Sequence, residues 1–350
     1  MDEKKILHRS ISSEATILST LKLMDQLGVK SLLVLDNKRS FRGIVSIGDI
    51  QRSIIQNQSF DKHVKNILRE NPRVGHEGIS LNEVKTLMIK YRMELYPVIN
   101  ESNEIVECYF WEDLFKSSPV IPLKKFNLPI VIMAGGKGTR LRPLTNVLPK
   151  ALIPIGSKTM LEEIFDRFFV HGSDKFYISL NYKGEIIEYY INNLELPYNI
   201  SFFKEIKPLG TAGSLFLLKD KLSGTFFLTN CDIIIEQDYS EILDYHRLSK
   251  NDITVVGALK HYPIPYGTLE TGNNGELLSL MEKPELTFKI NSGMYIMESN
   301  LIKDIKENQR IDITDFIVNE KRRGKKIGVF PVSEKSWVDI GNWNDYRELL

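Results

Sequence analysis

One stretch of this chain is written twice. Residues 15–49 and 79–113 run parallel at a constant offset of 64, so that Met24 answers Met88, Asp36 answers Asn100 and Asp49 answers Asp113. Each copy begins with apolar residues at helical spacing (Ile17, Leu18, Leu21, Met24; Leu81, Val84, Leu87, Met88), which predicts an amphipathic helix. A short apolar strand (32–35; 96–99), a polar turn, a second strand and a helix opened by an acidic residue follow in both. A unit this small cannot cover both faces of its own sheet. The two copies are therefore expected to pack together as one domain.

The first copy ends Gly43-Ile44-Val45-Ser46-Ile47-Gly48-Asp49-Ile50. This run resembles the ending of the CBS domain, a module that occurs in tandem. The resemblance implies a regulatory nucleotide, with the Ser46 hydroxyl toward a phosphate and the Asp49 carboxylate on the ribose hydroxyls. A carboxylate is acceptor-only and can hold a vicinal diol, and a helix start attracts phosphate. Opposite Gly43 and Ser46 the second copy carries Glu107 and Phe110, and only Asp113 keeps the pattern. One nucleoside site at most is expected; the alternative is a dimerisation scaffold without a ligand.

Between Lys116 and Leu128 two prolines and a Ser pair break both periodicities. The reading is a tandem CBS pair over 1–118, a linker over 119–127 and a second domain over 128–350. In the latter, strand candidates (130–133, 175–180, 226–228, 253–256, 294–297) alternate with helix candidates (161–170, 185–192, 213–219, 242–248). That alternation predicts an α/β fold with a mostly parallel mixed sheet covered on both faces. Ligands in such sheets sit at the carboxyl ends of strands.

Directly after the first of these strands stands Ala134-Gly135-Gly136-Lys137-Gly138-Thr139-Arg140-Leu141. Glycines there let the backbone approach an anion, yet the spacing fits neither the Walker A loop nor the dinucleotide fingerprint. The run continues through Arg142-Pro143-Leu144-Thr145 and Leu148-Pro149-Lys150-Ala151-Leu152-Ile153-Pro154-Ile155. Further along come Leu209-Gly210-Thr211-Ala212-Gly213, Leu228-Thr229-Asn230-Cys231-Asp232, Tyr266-Gly267, Glu282-Lys283-Pro284, Asn291-Ser292-Gly293 and Trp337-Val338-Asp339-Ile340-Gly341. Taken in order, these segments resemble the sugar-1-phosphate nucleotidyltransferases, a Rossmann-like family.

The resemblance implies nucleotide binding by Ala134 through Thr139 and by Gly210, Thr211 and Ala212. It implies a Mg²⁺ held by Asp232 and Asp339, and sugar-phosphate contacts from Tyr266, Gly267, Glu282, Lys283 and Asn291. Arg140 and Lys150 are the catalytic candidates, Arg140 facing the departing pyrophosphate and Lys150 the α-phosphate. These residue types suit the chemistry, because two anions must be brought in line and no protein nucleophile is needed. The Leu-Gly-Thr-Ala-Gly form is closer to that of guanylyltransferases than to the thymidylyltransferase version. The domain order resembles that of bacterial glucosamine-1-phosphate guanylyltransferases of legionaminic acid biosynthesis. The implied substrates are GTP and a hexosamine 1-phosphate, with mannose 1-phosphate as the near alternative. A non-catalytic assembly module on the same fold is the alternative from another class.

With 46 basic against 45 acidic residues, the net charge of +1 gives no reason to expect nucleic acid or an anionic membrane as partner. No apolar run approaches the length of a membrane span, and no secretory signal is expected, which points to a cytoplasmic protein. Cys231 reads as a small packing residue, the run Lys321–Lys326 as a solvated helix end and turn, and Trp343 with Tyr346 as core. None of the six histidines has metal-ligand spacing with another. A homo-oligomer is expected.

Overall fold

The computed structural model describes residues 3–115, 123–341 and 343–347. The chain divides into two compact units, Met1–Pro122 and Leu123–Leu350.

The smaller unit runs α1 (Glu3–His8), β1 (Ser10–Ser12), α2 (Ile17–Leu27), β2 (Ser31–Leu35), β3 (Phe41–Ser46), α3 (Ile47–Ile55), β4 (Gly75–His76), α4 (Leu81–Tyr91), β5 (Leu95–Ile99), β6 (Ile105–Phe110) and α5 (Trp111–Leu114). The offset of 64 read from the sequence reappears in the backbone. α2 and α4, β2 and β5, and β3 and β6 have bounds displaced by that same number, and the pairing register Ser31 with Ser46 recurs as Leu95 with Phe110. The helix caps repeat as well: Thr16 accepts from Ser19 N, and Ser80 accepts from Glu83 N. Leu33 and Phe41 of one copy share a core with Leu95, Ile99 and Phe110 of the other, so the two half-covered sheets do close on each other.

The larger unit begins with β7 (Ile130–Met133), a short ribbon of β8 (Pro154–Ile155) and β9 (Lys158–Thr159), and α6 (Met160–Phe169). It continues through β10 (Lys175–Leu180), α7 (Gly184–Asn192), β11 (Asn199–Lys204), α8 (Gly210–Gly213), β12 (Thr225–Asn230), β13 (Ile233–Ile235) and α9 (Tyr239–Leu248). It finishes with β14 (Ile253–Pro263), β15 (Thr268–Thr271), β16 (Leu277–Met281), β17 (Glu285–Glu298), α10 (Ile313–Arg322), β18 (Ile327–Val332), β19 (Trp337–Asp339) and α11 (Trp343–Arg347).

Seven strands form one sheet in the order β11-β10-β7-β12-β17-β14-β18. The β10–β11, β7–β10, β7–β12 and β14–β18 pairs are parallel, and β17 runs antiparallel to both neighbours. β7 is apolar throughout because both its faces are covered. Ile130 and Ile132 pack with Phe165 and Phe168 of α6 and with Ile187 of α7, while Val131 and Met133 pack with Leu215, Ile313 and Phe316 on the other side. β14 outruns the expected 253–256 because it stays paired with β17 as far as Pro263 opposite Glu285. The stretch expected as one helix over 213–219 is instead the short α8 followed by 3-10 turns over Ser214–Leu218.

Of the segment read as a linker, residues 119–122 lie outside the described ones. Residues 123–127 belong to the larger unit. Phe126 stacks on His171 and Phe227 with ring centroids 4.9 and 5.3 Å away, its N–H donates to His171 O, and Lys124 pairs with Asp244. A lone aromatic finding a stacking partner leaves no periodic trace in sequence.

Candidate active site

The strand order places the ends of β7, β10 and β12 side by side, and the glycine-rich segment leaves from β7 between them. A cavity of about 400 Å³ opens there, lined by Gly135, Gly136, Gly138, Thr139, Arg140, Lys150, Gly210, Thr211 and Asp232 from the sequence-predicted set. Ser179, Glu205, Asn230 and Asp312 also line it. Ala134 and Ala212 are buried behind the loops they belong to, and Lys137 is exposed at the loop tip.

The loop after β7 is held in shape by its own sequence and by the end of the chain. Thr145 Oγ1 donates to Gly138 O at 2.8 Å, and Leu141 joins Ile153, Met160, Ile234, Ile340 and Tyr346 in a small separate core. Trp343 Nε1 donates to Arg142 O at 2.9 Å and the Tyr346 hydroxyl to Pro154 O at 3.1 Å. Trp343 and Tyr346 thus act as core residues, and the core they serve is the one that carries the loop.

Asp232 follows β12, and Asp339 ends β19. Antiparallel pairing of β13 with β19 sets Ile233 opposite Asp339, and Ile340 N donates to Asp232 O at 3.0 Å. Two aspartates far apart in sequence are thereby fixed to one ribbon. Lys150 Nζ pairs with Asp232 Oδ2, each side chain only 11% exposed. Arg140 Nη1 lies 3.9 Å from Asp339 Oδ2. A Cβ on Gly341 would stand 2.5 Å from Asp339 Oδ1 and 2.7 Å from Arg140 Nη2, so only glycine permits this approach. Burial, and then the neighbouring Asp232 carboxylate, hold the Asp339 carboxyl above its ordinary pKa. Its Oδ1 is buried without a hydrogen-bond partner.

At another wall of the cavity stands Glu205, which the sequence reading did not single out. It follows β11 and accepts from Leu209 N at 3.0 Å and from the Ser179 hydroxyl at 3.3 Å. Burial raises its pKa above the usual carboxylate value. A glutamate five residues ahead of Gly210 had no motif to mark it; only the chain's return along β10 and β11 sets it beside the glycine loop.

The remaining predicted positions are not among the residues lining the cavity. Tyr266, Gly267, Glu282 and Lys283 flank the exposed β15–β16 ribbon, where a Cβ on Gly267 would lie 2.9 Å from Glu282 Oε2. Asn291 on β17 donates to the Tyr295 hydroxyl at 2.8 Å and accepts from Gly293 N at 3.1 Å. Cys231 is buried with its thiol pushed up to about 12 by burial, as befits a packing residue rather than a nucleophile.

In the smaller unit Ser46 and Asp49 are engaged with each other and with nearby cations. Ser46 caps α3 by accepting from Asp49 N, and Asp49 Oδ2 accepts from Ser46 N and Oγ. Asp49 Oδ1 takes Arg52 and Arg69, and the residue is 3% exposed. In the second copy Phe110 offers no cap, and Lys5 Nζ holds the Asp113 carboxylate at 2.7 and 2.8 Å.

Among the described residues no cluster of three or more His, Cys, Asp or Glu could hold a metal by itself, and no helix is long and apolar enough to cross a membrane. Residues 130–350 match the nucleotidyl transferase family, and residues 5–56 match the CBS domain. A mannose-1-phosphate guanyltransferase of Schizosaccharomyces pombe is 32% identical over 225 residues, which is 62% of this chain and 61% of that protein. A bifunctional protein GlmU of Methanococcus maripaludis is 31% identical over 222 residues, 61% of this chain and 51% of that protein. The chain therefore spans about half to three fifths of the length of these curated relatives. The crystal structure of HddC from Yersinia pseudotuberculosis superposes with a TM-score of 0.51 at 26% identity, covering 63% of this chain and 97% of that one.

Proposed function

The chain belongs to the nucleotidyl transferase family through residues 130–350, and from that premise we propose that it transfers a guanylyl group from GTP to a hexosamine 1-phosphate. Glucosamine 1-phosphate is the first candidate, giving GDP-glucosamine and pyrophosphate for legionaminic acid, a surface glycan component. The observation that carries the reading is one cavity lined by a half-buried carboxylate, Glu205, and by Lys150, Arg140 and Asp232, with Asp339 beside Arg140 at its edge. Guanine presents N1–H and N2–H₂ as donors, which a carboxylate accepts together.

In the reaction a sugar-phosphate oxygen bonds to the α-phosphorus of GTP. The bond to the bridging oxygen breaks, and pyrophosphate departs with that electron pair. Lys150 and Arg140 neutralise charge on the α-phosphate and on the leaving pyrophosphate, and the glycine loop supplies backbone N–H groups without side chains in the way. The residues present fit a divalent cation. Asp339 Oδ1 is buried and unpartnered, and two carboxylates repel each other across a short ribbon. Asp232 and Asp339 would hold Mg²⁺, which when bound supplies positive charge to the reacting phosphates. Tyr266, Gly267, Glu282, Lys283 and Asn291 are proposed for the sugar phosphate, with Glu282 or Glu270 favouring an amino sugar's ammonium.

A second reading, mannose 1-phosphate as acceptor, is favoured by the name of the relative from Schizosaccharomyces pombe. Pyrophosphate release with Mg²⁺, measured for GTP, CTP, UTP, dTTP and ATP against glucosamine, mannose and glucose 1-phosphates, separates the two. A maximum with GTP and glucosamine 1-phosphate is expected; a maximum with mannose 1-phosphate replaces the sugar, and silence throughout favours the assembly role. We further propose that the protein is a cytoplasmic homo-oligomer. The exposure of Leu269, Leu278 and Leu280 on the β15–β16 ribbon supports an assembly, and sedimentation equilibrium tests it. A regulatory nucleotide at Ser46 and Asp49 must displace the internal partners of both side chains; equilibrium dialysis of the full chain against AMP, ATP and GTP tests this.

A further inference from the structure

We propose that Asp312 is a specificity-determining residue of the nucleotide site, accepting a hydrogen bond from the exocyclic 2-amino group of the purine. The proposal deepens the guanylyl reading above and rests on it. Asp312 occupies the N-cap of α10 in extended geometry (φ −82°, ψ 150°), yet its side chain makes no capping bond. An aspartate there ordinarily accepts from the second or third amide of the helix. The first helical amide, Ile313 N, donates to Thr211 Oγ1 at 2.8 Å. The Thr211 hydroxyl is thus spent on the helix start, and Asp312, itself exposed, is among the residues lining the cavity.

Its position is fixed by backbone. Ile311 N donates to Leu209 O at 2.9 Å, and Ala212 N and Gly213 N both donate to Ile311 O at 3.0 Å. Gly210 has φ +75°, and a Cβ built on it would meet Ile311 O at 2.5 Å and Asp312 Oδ1 at 2.7 Å. Glu205 is tied to the same turn through Leu209 N. Two carboxylates therefore bracket the Leu209–Gly210 turn. Carboxylates repel a triphosphate, and away from the Lys150–Asp232 pair these two are suited to hydrogen-bond donors of a bound base. A guanine edge has three N–H bonds. Glu205 takes N1–H and one hydrogen of N2 as a bidentate acceptor, and the second N2 hydrogen needs another acceptor, which Asp312 supplies.

The test compares kcat/KM of the full-length protein for GTP, for ITP, which lacks the 2-amino group, and for 2′-deoxy-GTP, in wild type, Asp312→Ala and Asp312→Asn. Asp312→Ala is expected to lower kcat/KM for GTP by about tenfold while ITP changes by less than about twofold, as loss of one charge-assisted bond to one donor requires. Asp312→Asn, which keeps an acceptor, should fall in between, and the ratio of GTP to 2′-deoxy-GTP should not move. Equal losses with GTP and ITP would assign Asp312 a merely structural part and overturn the proposal. So would collapse of the GTP to 2′-deoxy-GTP ratio, which would place the carboxylate on the ribose. A wild type that prefers another triphosphate overturns the guanylyl reading itself, and this inference with it.

Discussion

Replacing Lys150 by methionine removes one partner of a pair whose side chains are both 11% exposed. Methionine fills much of the same volume, so packing changes little and the electrostatic effect dominates. What remains is an uncompensated Asp232 carboxylate beside Asp339, whose own pKa is held up by burial and by Asp232 and held down in part by Lys150. Breaking such a pair from one side costs about 3 kcal/mol, the lower end of the range for buried pairs, since neither group is fully buried. In a unit of this size that lowers the melting temperature by roughly 6–12 °C. The assay is thermal unfolding followed by the fluorescence of Trp337 and Trp343, which lie in the larger unit. The double variant Lys150→Met/Asp232→Asn should recover most of the loss, with a coupling of about 2 kcal/mol. Mg²⁺ should stabilise Lys150→Met more than the wild type, because the carboxylates then lack their internal cation. A single variant within about 0.5 kcal/mol of wild type, or two single effects that simply add, would refute the claim that this pair is electrostatically coupled.

Gly341→Ala places a Cβ within contact of Asp339 Oδ1 and Arg140 Nη2; turnover in the pyrophosphate assay should fall by roughly tenfold or more through displacement of Arg140, and an unchanged rate would show that this approach is dispensable. Glu205 has a raised pKa, so KM for GTP should rise as pH falls through it and the acceptor is protonated; Glu205→Gln should abolish that dependence. The sign for stability is the reverse. A raised carboxyl favours the fold at low pH, and that contribution disappears as pH rises through the folded-state pKa, which urea midpoints of wild type and Glu205→Gln would show. Trp343→Ala loses the bond to Arg142 O and the edge contact with Tyr346; about 2 kcal/mol of stability should go, with faster proteolysis between residues 134 and 147, and unaltered cleavage would show that the C-terminal helix does not support the loop.

Much of this molecule is written locally. Helical spacing in α2 and α4 and the apolar runs of β2 and β5 depend on residues a few positions apart, and the offset of 64 survives into strand register because the same pattern selects the same pairing. The glycine loop and Lys150 were legible because close backbone approach and fixed charge demand particular residue types in a short span. The expected linker was less so. Its prolines break periodicity, but that Phe126 docks on His171 depends on a helix end some 45 residues away.

The tertiary structure decided what depends on chain return. Sequence order alone cannot say that β17 inserts antiparallel between β12 and β14, since an antiparallel and a parallel apolar strand read alike. Glu205 and Asp312 carry no motif of their own; the backbone bonds between Ile311 and the 209–213 turn make them neighbours. Asp232 and Asp339 were identifiable as a pair by resemblance, but the raised pKa of Asp339 comes first from burial, which only packing produces. Residue types fix which chemistry a side chain can perform, whereas its protonation, partners and company follow from distances that a linear pattern does not contain.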